Sequence, residues 1–134
     1  MDWMTGLQRA IDYVEAHLTD DIDYAAAAKE AASSSFHFQR VFSIICGYTL
    51  GDYIRMRRLS LAADELMRTN EKVIDIALKY GYDTPESFSR AFTRFHGVTP
   101  TQARSGSAVR SFSRLSVKLI LDLSLIHISE PTRP

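Results

Sequence analysis

Phe38-Gln39-Arg40-Val41-Phe42, followed by Gly47 and Thr49, recurs fifty residues later as Phe88-Ser89-Arg90-Ala91-Phe92, followed by Gly97 and Thr99. The same offset matches Ala27 to Ala77 and the small hydroxyl residue Ser34 to Thr84. Self-similarity at a fixed period means that one supersecondary unit has been used twice. Any fold for this chain must therefore accommodate two copies of that unit.

The period within each copy is helical. Phe38 and Phe42, like Phe88, Phe92 and Phe95, recur at spacings of three or four and belong to a core-facing stripe. Trp3, Leu7, Ala10, Ile11, Val14 and Leu18 place a similar stripe on a first helix. Asp20-Asp21-Ile22-Asp23 breaks it and supplies an N-cap for an Ala-rich helix over about residues 24–31. Ser33-Ser34-Ser35 gives a fresh cap, and Gly47 suits a left-handed helix end. Thr49-Leu50-Gly51-Asp52 opens a long helix to about Thr69. Val73 to Tyr80 reads as a short helix, Thr84-Pro85-Glu86 as a strong helix start, and Thr99-Pro100-Thr101-Gln102 as a last short helix with a capping-box Gln.

Each copy is thus a short helix, a tight turn and a second helix. In the second copy Ala77 is a small residue where two helices cross, and Gly81 supplies the positive φ of the turn. In the first copy Ala31 stands in the glycine's place. This is a helix-turn-helix, whose second helix lies in the DNA major groove. On those second helices Arg40 and Arg90 project at equivalent positions, flanked by Phe36, His37 and Gln39 in one and by Glu86, Ser87, Thr93 and Arg94 in the other. Arg can bind guanine O6 and N7, Gln can pair with adenine, and Glu can accept from cytosine N4. The alternative for each is an ordinary solvated surface residue.

Charge is compatible with such a partner without demanding it. Formal net charge is zero, but residues 1–32 hold 2 basic and 7 acidic groups whereas residues 33–104 hold 10 and 7. The single cysteine, Cys46, lies in the apolar run Phe42-Ser43-Ile44-Ile45-Cys46 and reads as a buried structural thiol. One cysteine excludes an internal disulfide framework and fits a reducing compartment. No signal peptide and no apolar run of membrane-spanning length occur, so a cytoplasmic protein without a membrane partner is expected. His17, His37, His96 and His127 lack partners at metal-ligand spacing, so neither metal nor cofactor is expected. The absence of a GxSxG, P-loop or dinucleotide fingerprint argues against an enzyme.

From Ser105 the character changes. Ser105-Gly106-Ser107 and Ser111-Phe112-Ser113 read as a linker, and Val117, Leu119, Leu121, Leu123 and Leu125 alternate like a lone β-strand over about residues 116–128. Residues 105–122 are thus expected to be a linker and the start of a missing C-terminal domain. Residues 123–134 resemble the translated read-through of a sequencing adapter, an artefactual and poorly ordered tail.

Ile74-Asp75-Ile76-Ala77-Leu78-Lys79-Tyr80-Gly81-Tyr82, then Ser87-Phe88-Ser89-Arg90-Ala91-Phe92 and Phe95-His96-Gly97-Val98-Thr99-Pro100, resemble the signature of AraC/XylS-type transcriptional regulators, as does Tyr53-Ile54-Arg55-x-Arg57-Arg58-Leu59. The resemblance covers about residues 5–104. It implies an all-α DNA-binding domain over residues 1–104: about seven helices in two homeodomain-like helix-turn-helix subdomains, residues 5–47 and 70–104, joined by a long helix at residues 48–69. By motif position it implies base contacts from Phe36, Gln39 and Arg40, and from Pro85, Glu86, Ser87 and Arg90. His37 and Arg94 join them as candidates from the same helices. Phosphate contacts are expected at the helix starts Thr49 and Thr99 and from Arg55 and Arg57. The partner implied is double-stranded DNA, bound by a monomer acting as an activator with RNA polymerase. A small-molecule effector would act through the missing domain. Two rivals are a helical protein–protein adaptor and an alkyl-transfer repair enzyme with a fused helix-turn-helix, which would need a reactive Cys46.

Overall fold

The computed structural model describes residues 2–122. Seven helices follow in order: α1 (Trp3–Ala16), α2 (Tyr24–Glu30), α3 (Ser35–Cys46), α4 (Leu50–Arg68), α5 (Val73–Lys79), α6 (Pro85–His96) and α7 (Pro100–Arg104). Residues 117–122 are also helical, and no strand occurs among the described residues.

The described residues form two compact units, one of residues 2–16, 23–49 and 114–122, the other of residues 17–22 and 50–113. In the first, Leu7, Ala10, Ile11 and Val14 of α1 are buried, as are Ala27 and Ala28 of α2 and Phe38 and Phe42 of α3. α1 and α2 approach almost backbone to backbone: a Cβ on Gly6 would lie 3.0 Å from the Ala31 Cα. In the second unit α4 supplies Leu59, Ala62, Ala63 and Leu66 to a core with Ile76, Ala77, Tyr80, Phe88, Phe92 and Ala103. The long helix therefore has half its length built into the second unit's interior.

The helix starts follow the expected chemistry. Asp23 accepts from the Ala25 N–H, Ser34 from His37, and Thr84 from Ser87. Thr99 and Gln102 form a reciprocal capping box. Gly47 and Gly97 end α3 and α6 in the left-handed conformation, their N–H groups bonded to Ser43 O and Thr93 O.

The turn before each second helix corrects the expected register. Tyr82 N donates to Ala77 O and Gly81 N to Leu78 O, the Schellman pattern with Gly81 at φ +88°. In the first copy Ser33 N donates to Ala28 O and Ala32 N to Lys29 O, with Ala32 at φ 52°. The left-handed residue is therefore Ala32, not Ala31, and the partner of Ala77 is Ala28, not Ala27. The first turn has one residue fewer, so the fifty-residue offset holds only from the caps Ser34 and Thr84 onward.

The segment after α7 also departs from expectation. Residues 107–113 dock on the second unit: Val109 packs against its core, Phe112 N donates to Ser60 Oγ at 2.9 Å, and Phe112 O accepts from Arg57 Nη1 at 2.7 Å. Residues 114–122 belong to the first unit, where Arg114 pairs with Asp12 and Val117 N donates to Gln8 Oε1. The expected strand is helical as far as residue 122. Without a partner strand, a helix closes its backbone bonds locally, and Ser116 caps it by accepting from Leu119 N. The remainder of that segment and the adapter-like residues 123–134 lie outside the described residues.

Candidate nucleic-acid interface

The exposed row of α3 follows from burial of the other. Phe38 and Phe42 point inward, which turns Phe36, His37 and Arg40 outward. Phe36 is 75% exposed. Gln39 is half-buried, its amide donating to Ser35 Oγ at 3.0 Å, so it is braced against the first turn. In α6, Phe88 and Phe92 are buried and Pro85, Glu86, Arg90 and Arg94 are exposed. Ser87 is turned to the cap, its Oγ donating to Thr84 O at 3.0 Å. That bond holds Ser87 inward and leaves Glu86 and Arg90 as the long polar side chains at the head of the helix. Arg40 and Arg90 each follow their cap by six residues and are ion-paired to nothing among the described residues.

The expected phosphate contacts divide. Thr49 and Arg55 are exposed, and Arg55 pairs with Asp52 at 2.9 Å. Arg57 is half-buried and gives Nη1 to Phe112 O. The N–H of Thr99 is taken by Gln102 Oε1 at 2.8 Å. Two other arginines bond backbone carbonyls as well. Arg58 donates to Leu18 O and Asp20 O. Arg104 donates to Leu66 O and Thr69 O and, at 2.5 Å, to Glu71 O, closing the carbonyl end of α4 where a cation is favoured.

His96, not among the expected site residues, is buried at the end of α6. Its Nδ1 accepts from the Arg110 N–H at 3.0 Å and its Nε2 lies 2.9 Å from Leu59 O. Since Nδ1 accepts, Nε2 carries the proton and donates. Burial holds the imidazole below its usual range; the Leu59 bond opposes this and the Arg110 charge adds to it. Cys46 is half-buried, and burial pushes its thiol up to about 11, which leaves it unreactive near neutral pH.

Two capped helices, each with an outward Arg at the same register behind a tight turn, define a double helix-turn-helix protein built to bind DNA. A model of the helix-turn-helix domain matches residues 27–106. The chain belongs to the AraC/XylS family and is a DNA-binding transcription regulator. It is 42% identical over 92 residues to the HTH-type transcriptional activator AarP of Providencia stuartii, covering 69% of this chain and 68% of AarP. It is 39% identical over 98 residues to the regulatory protein SoxS of Escherichia coli K12, covering 73% of this chain and 92% of SoxS. Among solved structures, an AraC-type transcriptional regulator from Chromobacterium violaceum superposes with a TM-score of 0.70 at 23% identity, covering 75% of this chain and 89% of that one. This last likeness concerns the fold. No helix among the described residues is long and apolar enough to cross a membrane, and no three His, Cys, Asp or Glu side chains among them gather to hold a metal.

Proposed function

We propose that the chain is a transcriptional activator that reads two DNA boxes by inserting α3 and α6 into successive major grooves. Phe36, Gln39 and Arg40 read the first box; Glu86 and Arg90 lead in the second, with Pro85 and Arg94 alongside. The observation that carries this is the equivalent presentation of Arg40 and Arg90, both exposed and six residues beyond their caps. The 19 residues of α4 span about 28 Å at 1.5 Å per residue, close to the roughly 34 Å between successive major-groove faces. One polypeptide then suffices, and no two-fold symmetric site is needed. AarP is named as an activator, which supports the same direction for this chain and, with it, action alongside RNA polymerase.

Selecting bound duplexes from a random pool tests this. Two conserved boxes about one helical turn apart are expected, and a single box would sink the two-head reading. Arg40→Ala is expected to relax one base position in the first box at a cost of about 1–3 kcal/mol. A protein–protein adaptor would show neither boxes nor an effect of Arg40.

A further inference from the structure

Beside the reading row of α6 lies a groove of about 380 Å3 lined by Arg55, Met56, Ala91, Arg94, Phe95 and Arg110. Three of those six side chains are guanidinium groups and none is acidic; Asp52 approaches one of them, Arg55. Like charges gathered this way repel one another unless an anion lies between them. With 3.6 residues per turn, Arg94 sits on α6 between the outward row of Glu86 and Arg90 and the row of Ala91 and Phe95. The groove therefore flanks the face that would meet base edges.

Arg110 enters it from outside the matched helix-turn-helix region, which ends at residue 106. Its position is determined from two sides. Its backbone N–H is held by buried His96, and its guanidinium carbon stacks 4.6 Å from the centre of the Phe95 ring. Among the described residues only a long bond, 3.4 Å from Nη1 to Phe95 O, engages the fork. Its remaining N–H groups are available to an acceptor.

We propose that this groove is a phosphate clamp for the DNA strand walling the major groove that α6 occupies, with Arg110 as a binding residue; it rests on the reading of α6 as a DNA-reading helix. A helix lying in the major groove has its base-reading row facing inward and its flanks facing the phosphodiester walls. Guanidinium forks match phosphate oxygens two at a time. Met56, Ala91 and Phe95 give the attached deoxyribose an apolar floor. The segment after α7 thereby becomes part of the DNA-binding surface, and His96 is a positioning residue for Arg110.

The test compares Arg110→Ala, Arg110→Lys and Arg90→Ala on the selected duplex across a roughly fourfold range of salt. Losing one phosphate contact flattens the slope of log K against log salt by about 0.9, so the wild-type advantage over Arg110→Ala shrinks about 3.5-fold over that range. Base preference at every position stays as in the wild type, and Arg110→Lys retains the slope. Single neutral methylphosphonate linkages placed along the duplex should include one that weakens the wild type and leaves Arg110→Ala unaffected. An unchanged slope in Arg110→Ala, with Arg90→Ala relaxing one base position, overturns the clamp alone. If Arg90→Ala relaxes none, the reading of α6 falls and the clamp with it. Arg110-dependent capture of inorganic phosphate by the free protein, with no methylphosphonate effect, assigns the groove to a small anion and overturns the DNA clamp.

Discussion

Ala32 holds a conformation that suits glycine, and replacing it tests whether the first turn carries the strain its φ of 52° implies. A non-glycine residue in the left-handed region costs about 1–2 kcal/mol. Glycine removes that cost but enlarges the freedom of the unfolded chain by about 0.4–1 kcal/mol. The difference predicts that Ala32→Gly stabilises the first unit by about 0.5–1 kcal/mol. Ala32 is exposed, so trimming its methyl removes little buried area. Gly81→Ala is the mirror experiment in the second unit. An added Cβ there would lie 3.6 Å from Arg58 Nη1, an ordinary contact, so its loss of about 0.5–1 kcal/mol is a backbone effect. Trp3 is the chain's one tryptophan and lies in the first unit, so its fluorescence during denaturant unfolding reports on that unit. Calorimetry of Ala32→Gly should show an upward shift of about 2–8 °C, from about 4–8 °C per kcal/mol at this size. An Ala32→Gly variant that is less stable than its parent would refute the strain assignment.

Arg57→Ala is expected to lower stability by about 1–2 kcal/mol through loss of a charged hydrogen bond to Phe112 O, with no change in the salt slope of DNA binding. A flattened slope would show that Arg57 contacts phosphate as well as Phe112 O. For His96, the folded pKa lies below the unfolded value of about 6.5, so the unfolded chain binds the extra proton. Stability is therefore full above about pH 6.5 and falls as pH drops towards the folded pKa, by at most about 1.4 kcal/mol per pH unit; His96→Gln should remove that acid limb in denaturant titrations. Cys46 should react with a thiol reagent near neutral pH far more slowly than a free cysteine does, and rapid labelling of the folded protein would contradict its burial.

The caps, the phenylalanine stripes and the glycine helix ends were all legible, because each depends on residues within one turn of one another. Ser34, Thr84, Thr99, Gly47 and Gly97 all act where their local chemistry places them. The arginines were not separable in the same way. Arg57, Arg58 and Arg104 look as free as Arg40 and Arg90 in a sequence, yet they bond carbonyls between 33 and 55 residues away. Charge identifies a surface group, and only the fold decides whether a backbone oxygen has already claimed it. The motif around His96 does not disclose its role, which depends on Leu59 O and Arg110 N meeting at one ring. The shorter first turn is invisible in the sequence because Ala27 and Ala28 are the same residue type. Alternating apolar residues after Ser116 suggested a strand, a pattern that short helical segments can share.

Because the register of the repeat begins at the caps, the portable part of this protein is bounded by them. Ser34 to Thr49 and Thr84 to Thr99 are equal in length and share cap, phenylalanine pair and left-handed glycine. Cutting at the cap hydroxyls would therefore exchange the two second helices as whole units while each supporting helix keeps its own turn. Two residues of the second cassette are tied to their location through Arg110: Phe95, on whose ring its guanidinium stacks, and His96, which is matched by Cys46 in the first; an imidazole moved there would arrive without Arg110 and Leu59 to occupy its two nitrogens.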